Sequence, residues 1–271
     1  MILPGKPVAA KIYQKLQKDI QVFVSGKRKP EIASIIVGQD PASIVYTKIK
    51  EKQAQKLGIN FKVYHLSGIA PESNLEELIS DLNQNKYITG IIVQLPLPKN
   101  FNQEKILKTI APAKDIDGFQ GKMPAPTAAA ILEILKFYHI SLKNNNIVIV
   151  GHGRLVGKPL ATMLKKQGLK PIICDSTTFD LKEKTLKAEI IVSAAGSPGL
   201  IKPEMVSKTA VVIDAGTAEA KGKLIGDVEQ AVYEKVSAYT PSPGGVGPVT
   251  VACLMRNVVL AAKKQQRFKR I

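Results

Sequence analysis

The chain has 271 residues, 45% of them hydrophobic, enough to bury one large core or two ordinary ones, and no run approaches the roughly 20 apolar residues that span a bilayer. A formal charge of +17 invites a nucleic-acid reading, but the lysines are spread along the whole chain, aromatic residues make up 5% and Trp is absent, so neither a basic stripe nor a stacking platform is visible. Cys174, Cys253 and the scattered His65, His139 and His152 provide neither a disulfide framework nor metal-ligand spacing. Residues 1–6 read as neither signal nor transit peptide, and a cytoplasmic protein with no membrane, nucleic-acid or metal partner is expected.

In chain order, short β-branched apolar runs at 32–37, 61–65, 88–93, 147–150, 171–174, 190–192 and 211–213 alternate with amphipathic stretches, which predicts parallel α/β architecture. A Pro/Gly/Asp-rich connection at 115–126 separates the third run from a helical stretch at 127–139 and marks a domain boundary. The expected division is 1–122 plus 249–271 for the first domain and 123–248 for a second, Rossmann-like dinucleotide-binding domain. A Gly/Pro-dense loop, 241–248, precedes an apolar helical pattern at 251–262 that no strand follows; such a terminal helix is expected to return to the first domain.

Within the first domain, Tyr46 and Lys50 stand at i, i+4 in a helical stretch and share a face. The pair is open to two readings, proton transfer or surface packing with a snorkelled lysine. The strand Gly90-Ile91-Ile92-Val93 ends in Gln94, an amide where the apolar run stops, which either serves a ligand or closes its own turn. Asp115 and Asp117 add two carboxylates; one could accept paired N–H groups from a guanidine-like edge, and ordinary turn chemistry is the alternative.

The second domain opens on Ile147-Val148-Ile149-Val150 followed by Gly151-His152-Gly153-Arg154-Leu155-Val156-Gly157 and a helical stretch at 160–167. Strand, glycine turn and helix in that order suit a pyrophosphate at the positive end of a helix, although the glycine spacing is one residue longer than the usual fingerprint. The next strand ends at Asp175, about 24 residues past Gly151, close to where an acid grips the adenosine ribose diol. Asp175 either does so or caps a turn made by Ser176-Thr177-Thr178. Ala195-Gly196-Ser197-Pro198-Gly199 and Asp214-Ala215-Gly216-Thr217 follow two further strands, at the edge where open α/β sheets bind ligands.

The combination Pro41-Ala42-Ser43 with Tyr46 and Lys50, then Val93-Gln94-Leu95-Pro96-Leu97-Pro98, Lys114-Asp115-Ile116-Asp117-Gly118-Phe119 and Pro241-Ser242-Pro243-Gly244-Gly245-Val246-Gly247-Pro248 resembles the signature segments of the bifunctional FolD family, in order and across nearly the whole chain. Gly226-Asp227-Val228 is similar to a family segment as well. The resemblance implies a methylenetetrahydrofolate dehydrogenase and methenyltetrahydrofolate cyclohydrolase that binds a folate substrate, uses NADP by family default and forms a homodimer. It implies that Lys50 transfers protons with support from Tyr46 and Gln94, that Tyr46 stacks on the folate, and that Asp117 holds the pterin. It also implies that the backbone at Pro243, Gly244 and Gly245 approaches the folate, and that Gly151, His152, Gly153, Arg154, Asp175, Ser176 and Thr217 line the cofactor site.

Three departures stand out. The family's Gly-Arg-Ser at the nucleotide turn is Gly151-His152-Gly153 here, with Arg154 as the available substitute; together with Asp175 this raises the prospect of NAD. The stretch from Phe119 to Thr127 is short, with Ala125-Pro126-Thr127-Ala128 in place of Pro-Cys-Thr-Pro. Gly-Ile-Asn is replaced by Gly216-Thr217-Ala218. Rival readings are an NAD-dependent member lacking the cyclohydrolase, a non-folate two-domain dehydrogenase of the amino-acid or shikimate type, and a basic binding protein.

Overall fold

The computed structural model describes residues 1–24, 29–220 and 223–267. The chain divides into two compact units, one of Met1–Lys11 with Ala125–Cys253 and one of Ile12–Pro124 with Leu254–Ile271. Each is α/β around a parallel sheet, of five and three strands respectively. The sequence-based grouping is corrected at the amino end. Residues 1–11 belong to the five-stranded unit because the Leu3 N–H donates to the Tyr239 carbonyl at 2.8 Å and the Gly5 N–H to the Gly244 carbonyl at 2.9 Å. The last unit boundary falls at Cys253 rather than 249.

The three-stranded unit contains most of α1 (Gly5–Val24), then β1 (Glu31–Val37), α2 (Pro41–Lys56), β2 (Asn60–Leu66), α3 (Glu72–Gln84), β3 (Gly90–Val93) and α4 (Gln103–Thr109), with strand order β2-β1-β3. Period-2 alternation along β1 divides its apolar residues between two cores. Ile32 joins Leu16, Ile20, Ala54 and Leu57 on one face, while Ala33, Ile35 and Val37 join Leu75, Ile79 and Ile106 on the other. The parallel strands are therefore covered on both sides, which is why they read as unbroken hydrophobic runs.

The five-stranded unit follows with α5 (Pro126–Phe137), β4 (Ile147–Val150), α6 (Gly157–Lys166), β5 (Ile172–Cys174), α7 (Leu181–Leu186), β6 (Ile190–Ser193), β7 (Val211–Asp214), a hairpin of β8 (Ala218–Ala220) and β9 (Lys223–Ile225), α8 (Gln230–Lys235) and β10 (Ala238–Tyr239). Its strand order is β10-β7-β6-β4-β5. The winding reverses at β4, which lies between β5 and β6, and the carboxyl ends of β4 and β6 flank the crevice where doubly wound sheets take ligands. Helix α6 begins one turn earlier than the periodicity suggests, since Pro159 falls in the first turn, where a missing N–H costs nothing.

Helix α9 (Val246–Arg267) ends the described chain. By length and mean composition Val246–Gln265 could cross a membrane, but Arg256 and Asn257 interrupt its apolar run and 67% of the stretch is buried in protein, as in the core helix of a globular unit. Leu254, Met255, Val258, Val259 and Ala262 lie in the same core as Ile32 and Ile92, so the helix closes one face of the three-stranded sheet, as expected. Buried Asn257 donates through Nδ2 to the carbonyls of Ile116 and Pro124, at 2.8 Å each. Asn257→Ala would leave both carbonyls unmet and is expected to cost about 1–3 kcal/mol, measured as a lower urea midpoint with unchanged m-value.

Candidate active site

Helix α2 is started by Asp40, whose Oδ2 accepts the Ser43 N–H at 2.7 Å, with Pro41 at its first position. That start fixes which face meets the sheet: Ser43, Thr47, Lys50 and Ala54 are buried. On β3, Ile92 faces the α2 side, so Gln94, two residues on, points the same way. Lys50 Nζ donates to Gln94 Oε1 at 2.9 Å, and Gln94 Nε2 donates to the Leu95 carbonyl at 2.9 Å, which settles how the amide is turned. Ser43 Oγ reaches the same carbonyl at 3.3 Å. The ammonium lies 5.1 Å from the centre of the Tyr46 ring. Thus Lys50, only 6% exposed, is buried beside a half-buried Tyr46 and is not a snorkelled surface lysine.

The segment 114–118 is laid along β3. Ile91 N–H donates to the Lys114 carbonyl at 2.9 Å, and a side chain at Gly90 would collide with Ile116 at 2.5 Å. Lys114 Nζ donates to the Leu82 and Asn85 carbonyls at 2.7 Å each, tying the segment to the end of α3. Asp115 accepts the Phe119 and Gln120 N–H groups at 3.2 and 2.8 Å. Asp115 therefore does the turn chemistry, and Asp117 is the carboxylate whose charge Lys50 and Tyr46 sense. Desolvation pushes the Asp117 carboxyl up to about 6, opposed by Lys50 and aided by Asp115. Burial pulls the Lys50 amine below its ordinary value, with Asp117 opposing. The Tyr46 hydroxyl is pushed up to about 12 by burial and then by Asp117, so it remains a donor at any ordinary pH.

The glycine turn lies in the five-stranded unit at the carboxyl end of β4. Gly151 has φ +96°, and a Cβ there would meet the Ala194 carbonyl oxygen at 2.5 Å; one at Gly157 would meet the Gly151 carbonyl oxygen at 1.8 Å. These two glycines are required by the protein's own packing. Gly153 has open space around its Cβ position and no positive φ, so nothing in the fold itself requires a glycine there. Helix α6 has no side chain capping its N-terminus, which suits the turn to a pyrophosphate. His152, Gly153 and Arg154 are exposed beside it. At the end of β5, Asp175 Oδ1 accepts the Thr177 N–H at 3.0 Å and the Thr177 hydroxyl at 2.7 Å, with Ser176 exposed in the same turn.

Two buried carboxylates shape the loops beyond β6 and β7. Asp227 Oδ2 accepts the Ser193 hydroxyl and the Ala195 N–H, and Oδ1 the Ser197 N–H, all at 2.7 Å. Asp214 accepts the N–H groups of Gly216 and Asp227 at 3.1 Å each and of Val228 at 3.3 Å. Burial, offset in part by backbone hydrogen bonds and aided by the Asp227 charge, pushes Asp214 up to about 6. Thr217 is exposed, its carbonyl oxygen 3.8 Å from the Cβ position of Gly196. Pro243, Gly244 and Gly245 also belong to this unit, where a Cβ on Gly245 would meet the Pro241 carbonyl oxygen at 2.6 Å; its smallness serves local packing. Among the described residues no group of three or more His, Cys, Asp or Glu could hold a metal ion.

Family models for tetrahydrofolate dehydrogenase/cyclohydrolase match both halves, the catalytic domain over residues 3–117 and the NAD(P)-binding domain over residues 125–266. The chain belongs to the tetrahydrofolate dehydrogenase/cyclohydrolase family. A protein named bifunctional protein FolD from Aquifex aeolicus is 41% identical over 98% of this chain and 96% of its own length. The crystal structure of the bifunctional FolD enzyme of Campylobacter jejuni is 37% identical, with a TM-score of 0.91 over 97% of this chain and 99% of that one. The Trypanosoma brucei FolD, solved with NADP cofactor and inhibitor, is 30% identical with a TM-score of 0.92, covering 98% of each.

Spacing and resemblance point to Lys50, Tyr46, Gln94 and Asp117 in the catalytic half; of the partners that set them, Lys114 enters only within a family segment, and Asp40 and Asn257 not at all. Asp40-Pro41 was legible as a helix start; Asn257, about 140 residues from Ile116, had no local signal. Asp227 appeared only as part of a family segment, and its three hydrogen bonds come from the folded loops. Asp227→Ala is expected to strand the buried Ser193 hydroxyl and release the N–H groups of Ala195 and Ser197, costing about 1–3 kcal/mol by urea unfolding, with Asp227→Asn in between because one acceptor oxygen remains.

Proposed function

We propose that this protein oxidises 5,10-methylenetetrahydrofolate to the methenyl form with NAD(P) and hydrolyses that product to 10-formyltetrahydrofolate. The observation that carries the second activity is the buried Lys50 Nζ held at 2.9 Å by the neutral Gln94 Oε1. A lysine works as a base only in its unprotonated form, and desolvation shifts Lys50 in that direction. The unprotonated amine takes a proton from the water that attacks the methenyl carbon and a C–O bond forms; the bond from that carbon to N5 then breaks, N5 takes the proton from the ammonium, and the carbinol O–H gives its own proton to solvent as it becomes the formyl C=O. Gln94 keeps the amine in place without the charge that would pin it protonated. Tyr46 offers an aromatic face to the folate, and Asp117 an acceptor pair for the guanidine-like edge of the pterin.

NAD(P), when bound, supplies the hydride acceptor. On this side the chain's part is to hold the dinucleotide: Gly151, His152, Gly153 and Arg154 at the pyrophosphate, Asp175 and Ser176 at the adenosine ribose, and Thr217 near the nicotinamide. Pro243, Gly244 and Gly245 give backbone to the folate. Membership of the family, the uncapped start of α6 and the open space at Gly153 support this reading. A cytoplasmic homodimer without a membrane or nucleic-acid partner completes the proposal.

Lys50→Met keeps an apolar stem of similar length and removes the base. Hydrolysis of methenyltetrahydrofolate is expected to fall by about 100-fold or more while the far-UV spectrum and thermal midpoint hold; hydrolysis at the normal rate would remove Lys50 from its role. Asp117 sets a second expectation. Its carboxyl, raised to about 6, is protonated below that pH and loses one acceptor, so KM for the folate should climb as pH falls through about 6. In Asp117→Asn, KM should be high throughout and flat across that range.

A further inference from the structure

We propose that Asp175 makes this enzyme selective for NAD over NADP: its carboxylate takes the two hydroxyls of the adenosine ribose and repels a 2′-phosphate. The inference rests on the nucleotide reading above and narrows it.

Placement comes first. Strand β5 lies beside β4, with Val150 level with Cys174, and the Gly151 N–H donates to the Cys174 carbonyl at 2.8 Å. The glycine turn and Asp175 therefore leave the sheet side by side at the same edge. His152 in the glycine turn lies within electrostatic reach of Asp175. In doubly wound sheets an acid at the end of the second strand meets the adenosine ribose of a dinucleotide whose pyrophosphate sits on the first turn.

Charge comes second. The Asp175 carboxylate is exposed, and the hydroxyl and N–H of Thr177 hold it below the usual carboxylate range, so it is ionised at neutral pH. These bonds run to Oδ1 and fix the side chain in its turn. The turn itself, Asp175-Ser176-Thr177-Thr178, contains no Lys or Arg to offset the acid. A ribose diol can donate two O–H groups to such a carboxylate. A 2′-phosphate brings about two negative charges to the same place and finds no cation in the turn. Arg154 belongs to the glycine turn and not to the turn at Asp175, and is therefore assigned to the pyrophosphate that both cofactors share.

The test is direct binding by isothermal titration calorimetry of NAD+ and of NADP+ to the full chain without folate, with dehydrogenase turnover on methylenetetrahydrofolate measured beside it. NAD+ is expected to bind at least about tenfold more tightly than NADP+. Asp175→Asn retains an oxygen acceptor for Thr177 while removing the charge, and should shrink that ratio about tenfold by weakening NAD+ and strengthening NADP+. Arg154→Ala should weaken both cofactors by a similar factor. NADP+ binding as tightly as NAD+, or an Asp175→Asn ratio equal to that of the parent, overturns the inference and leaves the nucleotide reading in place. Failure of the folded protein to bind either cofactor overturns both.

Discussion

Burial of one amine governs the catalytic half. An ammonium on the apolar side of a sheet loses its hydration, and the cost is relieved either by a partner charge or by shedding the proton. Here the direct partner is a neutral amide, Gln94, and the carboxylate that acts on it, Asp117, does so through space. A carboxylate in place of Gln94 would hold the lysine protonated and end its use as a base. The rest of the unit keeps this balance: Asp40 and Pro41 start α2 so that Lys50 faces inward, and Lys114, Asp115 and Asn257 hold the chain on either side of Asp117.

The five-stranded unit solves a different problem, how to keep loops rigid at a sheet edge that must also stay open to a ligand. Its answer is to bring carboxylates inside as acceptors for loop N–H groups. Space for them is cleared by glycines: a Cβ at Gly216 would meet Asp227 at 2.1 Å, and one at Gly226 would meet Asp214 at 1.9 Å. Asp214 at the end of β7 receives the backbone of Asp227, and Asp227 in turn receives the loop after β6. These acceptors lie inside the edge, while Thr217, Ser176 and His152 are exposed at it.

How far the sequence could be read depended on the range of the physics. Parallel strands buried on both faces are visible as runs such as Ile147-Val148-Ile149-Val150, and the structure has β4 over those residues. Lys50 and Tyr46 share a helix face by spacing alone, but that Gln94 meets them follows only from the pairing of β3 with β1, which brings the strand's end over α2. Two carboxylates in Asp115-Ile116-Asp117 were equivalent as letters; the folded turn separates them by giving Asp115 the N–H groups of Phe119 and Gln120. Asp175 does cap its turn, and its carboxylate stays exposed while it does so, so the two sequence readings of it are compatible rather than exclusive. The placement of residues 1–11 was not legible, because it rests on backbone bonds to Tyr239 and Gly244 that no side-chain pattern announces.

The closing of one sheet face by Leu254, Met255, Val258 and Val259 has a consequence for the order in which the molecule comes into being. A chain leaves the ribosome from its amino end, and domains generally fold as they emerge. Strands β1 to β3 and helix α2 are made early, yet one side of their sheet has only α1 and α2 to cover it until Leu254 and its neighbours follow, after the whole five-stranded unit. Asn257, which anchors the Ile116 carbonyl next to Asp117, arrives in that same stretch. The unit whose strands are synthesised first is thus completed only after the other, and a chain terminated before Leu254 would carry Lys50 and Gln94 without the helix that seals the core beneath them.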